Sequence, residues 1–206
     1  MANKPRGVPP DAVTAYSGRA TDYDVGVRGR LHRGIANRVV TTAVRVAPAP
    51  RRVLDVGSGT GFLLRRLAQR LPQTAELVGV EPAPGMIRVA EAAAAETRIR
   101  FLSGVAEQLP FPDAYFDLVT TVTSFDHWPD QLQGLRECAR VLRPGGQFVL
   151  CDRISSVFAL TAPGRRQRKA RTPRRVEYLL GQAGLTGPTW QPSYALIIGT
   201  VSATKL

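Results

Sequence analysis

Residues Val53 to Gly61 read VLDVGSGTG. Glycines 57, 59 and 61 follow an apolar run and precede FLLRRLAQRL, whose leucines recur at helical spacing. A glycine loop between a buried strand and a helix lets the backbone approach a ligand closely and leaves N–H groups free at the helix start. The dinucleotide pattern G-x-G-x-x-G sets a helix N-terminus against a pyrophosphate. Here the spacing is G-x-G-x-G, with Ser58 inside it and Asp55 two residues ahead. A carboxylate at that point repels pyrophosphate and suits a ligand bearing a cation or an amine. Glu81 stands 20 residues past Gly61 and closes the next apolar run, ELVGVE. An acid so placed can accept from both hydroxyls of a ribose. Together these residues call for a nucleoside ligand without a pyrophosphate. The competing readings are an unliganded glycine turn and a solvated strand-end acid.

The elements that must hold these residues alternate strictly. RRVLDVG, ELVGVE, IRFLSG, FDLVTTVTS and QFVLCD read as strands. Between them FLLRRLAQRL, PGMIRVAEAAAAE and QLQGLRECARVL read as helices, and RRVEYLLGQAG gives a later one. PTWQPSY and ALIIGTVSA form two final strands with almost no connection. Such alternation predicts an α/β, doubly wound, mostly parallel seven-stranded sheet with an antiparallel C-terminal hairpin strand, and ligands at the carboxyl ends of its strands. Residues 1–50 read as a helical lead-in or lid, with Leu31, Ile35, Val39 and Val46 at helical spacing, ahead of one globular unit over 51–206.

Composition narrows the class. In 206 residues, 44% hydrophobic and 21% charged, nothing resembles a disordered or membrane-spanning chain. Two cysteines, Cys138 and Cys151, make neither a disulfide framework nor a metal cluster, so no metal site is expected and both read as core residues. MANKPRGVPPDAV lacks the apolar stretch of a signal peptide, and a cytoplasmic setting is the expectation. The net charge is +12, and only three of the 28 basic residues are lysines. The densest run, Arg165 to Arg175, can be a solvated loop, or can capture an anionic substrate, nucleic acid or an acidic membrane surface.

With these motifs in order, the chain resembles the class I S-adenosylmethionine-dependent methyltransferases, in the branch that includes quinone-biosynthesis C-methyltransferases. VLDVGSGTG, VGVEPAPGMIRVAE, GVAEQLPFPDAYFD and ECARVLRPGGQFVL carry the resemblance, and YSGRATDYD adds to it more weakly. It implies a Rossmann-like methyltransferase fold with S-adenosyl-L-methionine as cofactor and S-adenosyl-L-homocysteine as product. It implies that Gly57, Gly59 and Gly61 pass under the methionine part, with Ser58 in the same loop, and that Asp55 supports the ammonium. Glu81 would hold the ribose, Pro82 and Met86 would pack on the adenine, and Ala106 would meet the adenine edge. Relatives usually carry an aspartate where this chain has Val105, so Glu107 or a backbone carbonyl would have to serve the adenine amino group. Thr121, Val122 and Thr123 would meet the methionine group, and Tyr16 and Tyr23 would close over the cofactor.

The segment VTSFDHWPD then falls on the acceptor side, with Asp126 and His127 as candidate catalytic or substrate-contacting residues. His127 reads first as a packing residue, then as a substrate contact, and last as a general base. Trp128 reads as a core or pocket wall, and His32 as a surface residue. Asp130 in DQLQ has the spacing of a helix N-cap. The expected reaction is methyl transfer to carbon, oxygen or nitrogen of a small molecule, with oligomeric state left open. A nucleic-acid methyltransferase is the alternative suggested by charge, but TSFDHW lacks the Asn/Asp-Pro-Pro-aromatic motif of base amino methylation, and cytosine-C5 cysteine motifs are missing. A second alternative is a non-catalytic cofactor-binding interaction protein.

Overall fold

The computed structural model describes residues 10–156, 171–194 and 197–206. Most of the basic run 165–175 lies outside them. Two helices lead in, α1 (Pro10–Gly18) and α2 (Gly26–Val46), separated by a short 3-10 turn at Ala20–Asp22. There follow β1 (Arg52–Val56), α3 (Phe62–Arg70), β2 (Glu76–Glu81), α4 (Pro84–Ala93), β3 (Ile99–Ser103) and β4 (Phe116–Val122). After a 3-10 turn at Phe125–His127 come α5 (Gln131–Val141), β5 (Leu142–Asp152), α6 (Pro173–Gln182), β6 (Leu185–Tyr194) and β7 (Ile198–Lys205).

The seven strands form one sheet in the order β3-β2-β1-β4-β5-β7-β6. β1 to β5 pair in parallel, and β7 alone runs antiparallel, between β5 and β6. This is the doubly wound, mostly parallel sheet expected from the alternation, and the Rossmann-like architecture that the family resemblance implies. β1, β2 and β4 are buried on both faces, so their apolar residues run nearly unbroken instead of alternating. On one face Ile35, Val39 and Ala43 of α2 join Leu64 and Leu67 of α3 over Val53, Leu77 and Leu118. On the other, Leu135 and Cys138 of α5 and Val176 and Leu180 of α6 pack over Leu54, Val78 and Phe148.

Leu31 lies on α2 as its spacing predicts, and it is 42% exposed because the apolar stripe extends past the edge of the core that covers Ile35 and Val39. One expected element boundary needs correction. β5 begins at Leu142, earlier than Gln147, because Arg143–Gly146 continue the strand as an irregularity beside Phe116, with Gly145 at φ 76°. Strand order reverses between β1 and β4, and their carboxyl ends open the crevice where ligands bind in such sheets.

Candidate functional site

A cavity of about 660 Å³, counted to its open mouth, lies at that crevice. Its floor is the loop after β1. Gly57 has φ 75° and Gly59 φ 52°, a left-handed backbone that side chains disfavour. A Cβ on Gly57 would collide with Ser124 Oγ, while the same position on Gly59 faces open space. The N–H groups of Gly57 and Ser58 donate to Val80 O at 2.8 and 3.2 Å, tying the loop to β2. Gly61 has a packing role, since a Cβ there would overlap Phe101 of β3.

Two buried acids stand beside this loop. Glu81, 7% exposed, accepts from the N–H of Gly59 and of Ala83, both at 3.0 Å. Burial raises its pKa, and those two N–H groups offset part of the rise. Asp55, 2% exposed, accepts from Thr120 Oγ1 at 2.9 Å, and burial pushes it up to about 7. Asp55 lines a recess that adjoins the main cavity through Gly57, Gly59 and Thr123, with Arg33 and His32 on its far wall. The Ser58 hydroxyl is buried in this recess without a hydrogen-bond partner. Sequence reading placed His32 on the surface. It is instead half-buried, its ring tilted against Tyr23 at 4.9 Å between centroids, and burial lowers its pKa.

The side walls are apolar. Pro82, Met86, Val105 and Ala106 line the cavity, with Val122 and Thr123 from the end of β4. Thr123 holds φ 51°, a strained backbone for a β-branched residue, fixed by its N–H donating to Cys151 O at 2.8 Å. Thr121 is corrected: it is fully buried within the sheet, one step deeper than the cavity wall. Glu107 is corrected too. Its carboxylate accepts from the Asp130 N–H at 3.0 Å, at the start of α5, and does not line the cavity.

The mouth is aromatic. Tyr16 and Tyr23 meet edge to face at 6.4 Å, and burial raises both phenol pKa values, that of Tyr23 to about 12. The Tyr16 hydroxyl and His127 Nε2 share a hydrogen bond of 3.1 Å, with the rings edge to face at 5.5 Å. α1 is thereby joined to the turn after β4. Trp128 packs below, its Nε1 donating to Ser124 Oγ at 2.9 Å. Asp130 caps α5 as its spacing predicts, accepting from Gln133 N–H at 3.0 Å.

Asp126 has a different role from the one expected. It is 8% exposed, and both carboxylate oxygens are taken, by Arg171 at 2.7 Å to each and by Arg153 at 2.6 Å. Burial alone would raise its pKa, but the two guanidinium groups outweigh it and hold the acid below the usual carboxylate range. An acid so engaged is no proton acceptor. It fastens the turn carrying His127 to the end of β5 and the approach to α6. Arg153 and Arg171 lie 27 and 45 residues away in sequence and carry no local signal.

These groups suit S-adenosylmethionine. Among the described residues no arginine or lysine lines the main cavity, which leaves a pyrophosphate without a counter-charge. Two buried carboxylates, one near the open backbone of Gly59 and one in the recess, match ribose hydroxyls and an amino-acid ammonium. The flat apolar walls match a purine. Among the described residues no cluster of histidine, cysteine or acid could hold a metal.

Comparison with known proteins agrees. Residues 54–150 match the family described as "Methyltransferase domain". The demethylmenaquinone methyltransferase of Deinococcus radiodurans is 45% identical over 117 residues, 56% of this chain and 48% of that protein. That of Thermus thermophilus is 43% identical over 106 residues, 50% of this chain and 48% of the relative. The chain thus spans about half the length of the curated relatives it matches. An S-adenosylmethionine-dependent methyltransferase structure from Aquifex aeolicus shares the fold with a TM-score of 0.74 at 18% identity, over 92% of this chain and 98% of that one.

Proposed function

We propose, on the premise that residues 54–150 are a class I S-adenosylmethionine-dependent methyltransferase domain, that this protein methylates a small, largely apolar acceptor bearing a hydroxyl group. The carrying observation is the crevice itself, where two buried acids flank a glycine loop and an aromatic mouth ends in the Tyr16–His127 pair. The named activity of the Deinococcus and Thermus relatives, on demethylmenaquinone, makes a hydroxylated aromatic the acceptor class to try first.

S-Adenosylmethionine supplies a methyl group already activated on a sulfonium. The chain's contribution is therefore chiefly orientation, which reaches roughly 7–11 kcal/mol in well-aligned reactions. Glu81 holds the ribose hydroxyls, and Asp55 the ammonium. Pro82, Met86, Val105 and Ala106 would pack on the adenine. Val122 and Thr123 would meet the methionine part. His127, held by Tyr16 at 3.1 Å, faces the acceptor and takes its hydroxyl proton as the nucleophile forms. Trp128 and the two tyrosines exclude water.

Methyl transfer to dihydroxynaphthalenes and simple phenols tests this reading, read as S-adenosylhomocysteine produced. His127→Ala is expected to lower turnover by about 10²- to 10⁴-fold, the range for general bases, while S-adenosylhomocysteine affinity stays unchanged. Equal loss of both would make His127 part of the cofactor site instead.

A further inference from the structure

We propose that the N-terminal end of α2 is a docking surface for an anionic lipid bilayer, with Val25, Val27 and Leu31 entering the headgroup layer between arginines that pair with lipid phosphates. Val27, Leu31, Ile35 and Val39 form one continuous stripe along the helix, four residues apart. Its inner half is core, with Ile35 at 2% and Val39 at 0% exposure. Its outer half has no cover among the described residues: Val27 is 74% exposed, Leu31 42%, and Val25 just ahead of the helix 64%. Large aliphatics that leave the core in a row, on a helix end, are an exposed patch needing an apolar partner.

The charge around the patch identifies that partner. Arg28 and Arg30, on the same helix end, are exposed on either side of the stripe, while the nearby Asp24 carboxylate is occupied by Thr60 Oγ1 at 2.6 Å. A second copy meeting this patch about a two-fold axis would bring the arginines together, and like charges resist that. Duplex nucleic acid would use the arginines and leave the aliphatics in water. An anionic bilayer satisfies both, since aliphatics enter the acyl boundary and guanidinium groups remain at the phosphates. Tyr23, two residues before Val25, lines the cavity, so docking brings the mouth of the crevice to the membrane surface. Delivery of a lipophilic acceptor from that surface rests on the proposed function, whereas docking itself does not.

The full chain, without cofactor, should sediment with phosphatidylglycerol-containing vesicles and not with pure phosphatidylcholine vesicles. Val27→Ser with Leu31→Ser, a charge-neutral change at exposed positions, should weaken that binding at least tenfold, as should Arg28→Ser with Arg30→Ser. Unchanged melting temperatures show that the variants fold. Failure to bind anionic vesicles, or binding that ignores the serine pair at Val27 and Leu31, overturns the proposal. Tight duplex DNA binding lost in the arginine variant, with vesicle binding unaffected, assigns the patch to nucleic acid and overturns it too.

Discussion

Asp55 and Glu81 are the two acids proposed to hold one ligand, and their surroundings separate their behaviour. Glu81 has two backbone N–H donors, while Asp55 has one hydroxyl and is pushed up to about 7. Below that pH Asp55 is protonated, and a neighbouring ammonium favours the ionised form. Affinity for S-adenosylhomocysteine should therefore climb as pH rises from about 6 to about 8 and then level. Asp55→Asn should flatten the climb. Calorimetric titrations at the two pH values check this, and a flat wild-type profile would remove Asp55 from the ammonium site. Both acids were legible in the sequence, since each sits at a strand end at fixed distance from the glycines. The grip on Asp126 was not, because Arg153 and Arg171 reach it only through the fold.

Among the elements, α5 shows how packing sets the pocket wall. Asp130 and Glu107 both act at its start, one capping Gln133 N–H and the other receiving the Asp130 N–H. One turn later Gly134 lies against Trp128, and a Cβ there would overlap the indole. Gly134→Ala gains about 1 kcal/mol of helix propensity but overpacks a buried ring by up to about 3 kcal/mol. The net expectation is a loss of about 1–2 kcal/mol, seen as a melting temperature lower by roughly 3–6 °C. A variant that melts at or above the wild type would mean that α5 shifts freely from the wall. Strand and helix identities were readable from periodicity. The exposure of Leu31 was not, because periodicity marks a stripe without saying where the core beneath it stops. Val27, four residues earlier, extends the same stripe into solvent.

For the molecule as a whole, the sheet order places the end of β1, and with it Asp55 and Gly57, beside the end of β4 and its following turn. The groups proposed for cofactor and acceptor thus meet only when the parallel half of the sheet has assembled, and a ligand that spans them would stabilise the folded state by mass action. Among the described residues, no arginine or lysine of this basic chain lines the crevice. The sequence showed that charge but not its absence from this lining, which depends on how the helices wrap the sheet. Calorimetry of the intact chain with S-adenosylhomocysteine tests the account most directly. One ligand per chain should bind with saturable heat, and Glu81→Ala should weaken it about 10- to 100-fold, the loss of a charge-assisted contact of about 1.5–3 kcal/mol. Absence of heat with the wild type, or full affinity in Glu81→Ala, would contradict it.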